Sequence, residues 1–407
     1  MSCNRTDFDV IIAGAGAGGA AAATYLTRAG LRAVVIEKAR LPRYKACGGA
    51  IPRPALDRFA FDFGEVIRAA PGRARFAFPG QPCVDLALPD QPVAMVMRSE
   101  FDALLLSRSG AEVLEGAAVS GVSESDDRVR VEAGGRTLTA RYLVGADGAA
   151  SQVARSLGLR GGRRMGGALE AEVPLRGHSA LQQEYGDCAV FLFGVIPWGY
   201  AWVFPKGDLL SVGIGRVRPG RVALRPILER EMSRLGIELD GVKVHGHPLP
   251  SFQAPPWPYW RGSPQERLAT RRCLLVGDAA GLMDPFIGEG IRYAMASGRL
   301  AAAAIERDDL SGYEAAVWRE IGHSLATADR TAALFYRFPA ACYRWGVRNP
   351  ATGRQFVDLL SERFSYQGIG RRLVAATARW LLTGRSAKGE WQNEVQRTRE
   401  KCVAPEE

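Results

Sequence analysis

Residues 277–290 read GDAAGLMDPFIGEG: an acid directly after a glycine, an apolar turn carrying a proline, and a closing Gly-x-Gly. More than half the chain earlier stands Gly14-x-Gly16-x-x-Gly19. The early spacing suits a pyrophosphate, because the first glycine permits a sharp turn and the second lets phosphates approach the backbone. The third lets a helix and a strand close together. The late stretch suits the far end of an extended dinucleotide. Asp278, after Gly277, offers a fixed acceptor to ribityl hydroxyls. Backbone N–H groups from Gly288 to Gly290, opening a helix, would stabilise the negative charge a flavin ring gains on reduction. Pro285 would stiffen the turn beside that ring. Either motif alone says dinucleotide; together they say FAD.

The elements that must hold these residues follow from pattern. Residues 10–13 read as a short buried strand and 20–29 as a small-residue helix stopped by Gly30, which places the first glycines in the turn between them. Residues 31–36 form a second strand ending at Glu37, whose carboxylate would accept from ribose hydroxyls and repel a 2′-phosphate. Residues 142–147 are another strand, closing at Asp147 and Gly148 before a helix from about Ser151. Residues 273–276 and 290–305 are the strand and alanine-rich helix on either side of the late motif.

Composition narrows the classes. The chain has 407 residues with 47% hydrophobic and 24% charged side chains, which is ordinary globular chemistry with room for two or three units. Its net charge of +10 comes from 47 arginines and 6 lysines that are scattered rather than striped, so no nucleic-acid partner is expected. Attraction to an anionic membrane surface suits the charge better. The 7 cysteines form no CxxC pair, and the 4 histidines are too few and isolated for a metal cluster. No metal site is expected. No signal segment precedes the first strand and no window spans a bilayer, so the expected location is cytoplasmic or peripheral on a membrane.

The cofactor motifs resemble those of the flavoprotein superfamily that includes the aromatic hydroxylases, and within it the geranylgeranyl reductase family. Hydroxylases generally carry a histidine after Gly-Asp-Ala-Ala, where this chain has Gly281. The turn ADGAASQVARSLGL, with Ala154 before Arg155, is similar to the reductase version. Arg98, in RSEFDALLL, matches the family's arginine at the start of a helix near the cofactor. The resemblance implies that Lys45, Arg98, Asp147, Gly148 and Glu289 join the motif glycines, Glu37 and Asp278 in holding FAD.

Two further segments carry the family likeness. In 44–52, YKACGGAIP, the resemblance places Cys47, Gly48 and Gly49 along the flavin, with Cys47 as a proton donor or a tuner of the ring; a small buried cysteine packing as a hydrophobe is the alternative. In 197–205, PWGYAWVFP, followed by 212–215, VGIG, the side chains of Tyr200, Trp202 and Phe204 alternate and share one strand face. The family signature makes them the lining of a prenyl-chain cavity; the other reading is the core side of a second sheet. Residues 332–347 and 373–382 are helix-like, with aromatics and arginines interleaved (Phe335, Tyr336, Arg337, Tyr343, Arg344, Trp345, Trp380), and either close over substrate, lie on lipid headgroups or simply pack. The tail after Gly389 is polar.

The expected fold is α/β, α+β overall: a Rossmann-like FAD-binding domain from 1–72, 96–165 and 263–310. Into it are inserted strands at 73–95 and a mainly antiparallel substrate sheet at 166–262, with a helical region at 311–407. The implied activity is hydrogenation of isolated C=C bonds of an isoprenoid chain, with NADPH or reduced ferredoxin as electron donor, in a monomer. The rivals are a monooxygenase or halogenase on the same scaffold, and a non-catalytic isoprenoid-binding flavoprotein.

Overall fold

In the computed structural model, residues 6–159, 164–255 and 267–349 are described, with 352, 357–359 and 366. The helix anticipated at 373–382, Trp380 and the polar tail lie outside them. The chain divides into two units: Met1–Lys45, Arg98–Met165 and Pro248–Asp329 form one, and Ala46–Met97, Gly166–His247 and the chain from Arg330 form the other. The Cys47–Gly49 segment therefore falls in the second unit.

The first unit is built on a sheet whose parallel strands run in the order Glu112–Glu115, Ala33–Glu37, Phe8–Ala13, Arg136–Gly145, Cys273–Leu275. Arg136–Gly145 is longer than the strand anticipated at 142–147, because its first half pairs antiparallel with Val129–Ala133, and that strand pairs with Val119–Glu124. Val10, Ile11 and Ile12 are fully buried, as expected of parallel strands covered on both faces. The helix Ala17–Arg28 starts three residues before the pattern suggested. Gly18 and Gly19 are poor helix formers, but packing overrides propensity. A Cβ on Gly298, in the helix Ile291–Glu306, would lie 2.3 Å from the Gly18 carbonyl oxygen. The two helices touch backbone to backbone through small residues.

The second unit holds a seven-stranded sheet, ordered Val244–Ser251, Arg164–Pro174, Leu209–Arg216, Gly199–Lys206, Cys188–Phe193, Arg73–Phe78, Gln81–Ala87. Pairing is antiparallel throughout the described ladders except between Cys188–Phe193 and Arg73–Phe78. One face buries Val190, Leu192, Ala201, Val203, Leu210, Val212 and Ile214 with Leu228 and Met232 of the helix Leu224–Arg234. By the two-residue period of a strand, Phe76, Phe191, Phe193, Tyr200, Trp202, Phe204 and Lys206 point to the opposite face. A small sheet of Ala50–Pro52, Val93–Val96 and Ile67–Ala69 completes the unit. The single helix anticipated over 332–347 is interrupted. His323–Arg337 ends where Phe338 leaves helical geometry (φ −131°, ψ 55°), because the ring of Pro339 crowds the residue before it, and Pro339–Cys342 then starts a new helical turn.

Candidate active site

The glycine turn of the first unit is shaped by backbone approach. Gly14 has φ +103°, and a Cβ there would sit 2.4 Å from the Ala146 carbonyl oxygen; one on Gly19 would sit 1.9 Å from the Gly14 carbonyl oxygen. Gly16 differs. Among the described residues its Cβ would meet only the Arg43 guanidinium, at 3.8 Å. Gly16 is also the N-cap of Ala17–Arg28 and has no side chain to satisfy the first-turn N–H groups. Open space, free donors, a helix dipole and a neighbouring cation are what a pyrophosphate needs.

Glu37 is buried, and its Oε2 accepts the Ala15 N–H at 2.9 Å. Arg43 Nε lies 3.6 Å from Glu37 Oε1, and Arg43 Nη1 donates to Asp102 Oδ2 at 3.0 Å. Arg98, also buried, donates to both oxygens of Asp102, at 3.1 and 2.9 Å. Two carboxylates and two guanidiniums thus form one charge-balanced line beneath the turn. Removing Asp102 would break the buried contacts of both arginines at once, a cost of about 3–5 kcal/mol. Arg43 and Asp102 escaped the sequence reading. Asp102 was legible only as an acid one helical turn after Arg98.

Asp147 Oδ2 accepts the N–H groups of Gln152 and Val153 at 2.6 and 3.0 Å, and Ser151 caps the same helix, Gln152–Ser156. Asp147 Oδ1 is buried with no hydrogen-bond partner among the described residues. Gly148, at φ +81°, faces open space. Lys45 and Asp278 come together, Nζ to Oδ2 at 3.4 Å and both about four-fifths buried. Gly277 donates to Ser297 Oγ at 3.0 Å, and Gly281 ends the short helix Gly277–Ala280 in the left-handed region, φ +65°.

The turn before Ile291–Glu306 corrects one expectation. Asp284, fully buried, accepts the N–H groups of Phe286 and Ile287 on Oδ1 and the Gly288 N–H on its carbonyl at 3.0 Å, while its own N–H reaches Glu289 O at 2.8 Å. The Gly288 N–H is therefore engaged inside the turn, which narrows the outward donors to those after Gly288. Pro285 is buried within this loop. Glu289 is turned onto Arg292: Oε1 accepts that residue's N–H at 2.9 Å and Oε2 its Nε at 2.6 Å. Burial pushes the Glu289 carboxyl up to about 7 despite that arginine. The open space at Gly16 and Gly148, the orphaned Asp147 Oδ1 and the acid at Glu37 together fit an extended dinucleotide.

In the second unit the three alternating aromatics lie side by side, Tyr200–Trp202 and Trp202–Phe204 centroids both 6.2 Å apart. Phe191 stands 5.0 Å from Phe204, and Phe193 5.5 Å from Tyr200. They turn away from the aliphatic core of the sheet. Trp202 Nε1 donates to Ser211 Oγ at 3.3 Å, and Ser211 Oγ donates to Glu170 Oε1 at 2.9 Å; both partners are buried. Gly213 makes room for the indole, since a Cβ there would meet Trp202 Cζ2 at 2.1 Å. The Cys47-Gly48-Gly49 turn rests on this face: a Cβ on Gly48 would lie 3.0 Å from the Phe204 ring. The Gly49 N–H donates to Cys47 Sγ at 3.4 Å, and Lys206 Nζ donates to the Cys47 carbonyl at 3.0 Å. Lys206 is almost wholly buried. Sequence reasoning missed it, although its place two residues after Phe204 put it on the same strand face.

Two family models match, an NAD(P)-binding Rossmann-like domain over residues 12–65 and an FAD binding domain over 65–195. The geranylgeranyl diphosphate reductase of Rhodobacter capsulatus is 33% identical over 316 residues, 73% of this chain and 74% of that one. The menaquinone reductase of Mycobacterium tuberculosis is 31% identical over 365 residues, 81% of this chain and 84% of its own length. The chain belongs to the geranylgeranyl reductase family. A solved structure of a geranylgeranyl bacteriochlorophyll reductase-like protein from Thermoplasma acidophilum has the same fold, with TM-score 0.72 and 21% identity over 97% of this chain and 99% of that one. As a member of the geranylgeranyl reductase family, the protein is an FAD-dependent oxidoreductase.

Proposed function

We propose that this oxidoreductase hydrogenates isolated C=C bonds in an isoprenoid chain of the geranylgeranyl type. The observation that carries the reading is the aromatic sheet face with the Cys47-Gly48-Gly49 backbone laid against it. Flat rings offer an apolar chain contact without polar competition, which is how a prenyl tail is held.

FAD, when bound and reduced, supplies hydride to the alkene. Gly14, Gly16, Gly19, Arg43 and Glu37 would hold its adenosine and pyrophosphate half, and Asp147, Gly148, Lys45, Asp278 and the backbone N–H groups after Gly288 the remainder. Isolated alkenes are poor hydride acceptors, so the protein's main lever is placement, with reacting atoms at about 3–3.5 Å. Tyr200, Trp202 and Phe204 grip the chain and exclude water. The thiol of Cys47 carries the proton for the second alkene carbon, and the Gly49 N–H holds its sulfur in place. Lys206 fixes the turn that presents Cys47. Electrons enter from NADPH or reduced ferredoxin, and a peripheral seat on a membrane brings the protein to lipid-soluble substrates.

The test is anaerobic. The purified yellow protein is reduced and mixed with a geranylgeranyl compound. Flavin reoxidation with a gain of two hydrogens per double bond supports the reading. Oxygen incorporation once air is admitted would make the protein a monooxygenase, and no turnover with any prenyl acceptor would make it a carrier.

A further inference from the structure

We infer that the bend around Phe338 is a docking surface for an anionic lipid membrane. Leu334, Phe338 and Trp345 are 60%, 56% and 62% exposed, the three most exposed large hydrophobic side chains among the described residues. All three fall within one short stretch of the second unit. Positions 334, 337, 338, 340, 341, 344 and 345 are exposed, and Ala332, Phe335, Tyr343 and Val347 are buried. The inward residues are accounted for: Phe335 lies 5.1 Å from Phe193, and Tyr343 OH donates to Phe76 O at 2.7 Å. The bend folds the second segment onto the first, with Cys342 Sγ 3.9 Å from the Leu334 carbonyl oxygen. Leucine and phenylalanine before and at the bend and tryptophan after it are thus all open to solvent.

Charge identifies the occupant. Residues 330–349 contain Arg330, Arg337, Arg344 and Arg348 and no aspartate or glutamate. Arg337 and Arg344 are exposed beside the apolar trio, and the Arg344 guanidinium lies 5.2 Å from the Trp345 ring centroid. Apolar side chains flanked by arginine, with a tryptophan among them, match an interface between acyl chains and negatively charged headgroups. No described helix is long and apolar enough to cross a bilayer. Of the residues in 332–347 that the sequence offered to substrate, lipid or packing alike, Phe335 and Tyr343 are buried, while Leu334 and Phe338, which the sequence did not single out, are exposed beside Trp345.

This surface serves the prenyl-reductase reading, but its test uses no substrate, so each can fail alone. The flavin-loaded full chain is sedimented with phosphatidylcholine vesicles, with and without phosphatidylglycerol. Binding is expected to the anionic vesicles only, and to weaken with added salt. Arg337→Gln and Arg344→Gln should each weaken it roughly fivefold. Leu334→Ser with Phe338→Ser should abolish it while flavin content and far-UV dichroism stay unchanged. Quenching of tryptophan by brominated lipid should fall in Trp345→Phe. No binding to anionic vesicles at low salt, or binding indifferent to these substitutions, overturns the inference. So does a dimer that the Leu334→Ser and Phe338→Ser changes dissociate, because the bend would then be a contact between copies.

Discussion

Replacing Gly213 by alanine tests whether the aromatic face is set by what the neighbouring strand leaves out. A Cβ at 213 would lie 2.1 and 2.5 Å from two atoms of the Trp202 ring and 2.6 Å from the Leu169 carbonyl oxygen. The carbonyl belongs to a paired strand and cannot yield, so the indole must move. Moving it breaks the hydrogen bond to Ser211 and disturbs the contacts with Tyr200 and Phe204. Overpacking costs about 1–3 kcal/mol, and the lost hydrogen bond about 1 kcal/mol. The expected destabilisation is therefore about 2–4 kcal/mol, with prenyl-substrate KM raised and flavin content unchanged. Gly167→Ala is the control on the same sheet, because no atom lies within 4 Å of its Cβ and its φ is not positive. Urea unfolding of the two variants, followed by dichroism, reads the difference. If Gly213→Ala unfolds within about 0.5 kcal/mol of Gly167→Ala and keeps its near-ultraviolet tryptophan signal, the steric reasoning is wrong.

Other outcomes follow from the same contacts. Cys47→Ala should slow alkene-dependent flavin reoxidation by about 100-fold or more, the contribution of a positioned proton donor, without changing the flavin spectrum in stopped-flow records. Gly19→Ala drives a methyl into the Gly14 carbonyl and should give colourless, flavin-free protein by absorbance. Glu289 has a folded pKa raised to about 7 by burial, so the native state holds a proton that the unfolded chain releases in the ordinary carboxylate range. Its contribution to stability is present at low pH and is lost as pH rises through about 7. Glu289→Gln should flatten that decline in denaturation midpoints measured from acid to neutral pH.

Much of the cofactor side was legible because its demands are local. Gly14, Gly16 and Gly19 must fall at fixed steps between a strand and a helix, and Glu37 must end the next strand. Alternation alone put Tyr200, Trp202 and Phe204 on one face. Pattern could not tell which apolar face of the strand meets the aliphatic cluster; the partner strand shows it, with Ser211 and Gly213 opposite the rings and Val212 and Ile214 opposite the aliphatic layer. What stayed hidden depends on residues far apart in sequence. The contact of Lys206 with the Cys47 carbonyl and the line from Glu37 through Arg43 to Asp102 leave no periodic trace. The early start of Ala17–Arg28 also needed Gly298, which no local propensity reports.

That crossing of Gly18 and Gly298 bears on how the protein is made. The helix Ala17–Arg28 leaves the ribosome about 270 residues before Gly298, with a face of glycine and alanine shaped for that partner. At about 5–20 residues per second that face waits tens of seconds for its match. Strand Phe8–Ala13 waits in the same way for Arg136–Gly145, and Arg136–Gly145 for Cys273–Leu275. The nucleotide-binding unit therefore closes late in synthesis, and a nascent chain cut before Gly298 should need a chaperone to stay in solution.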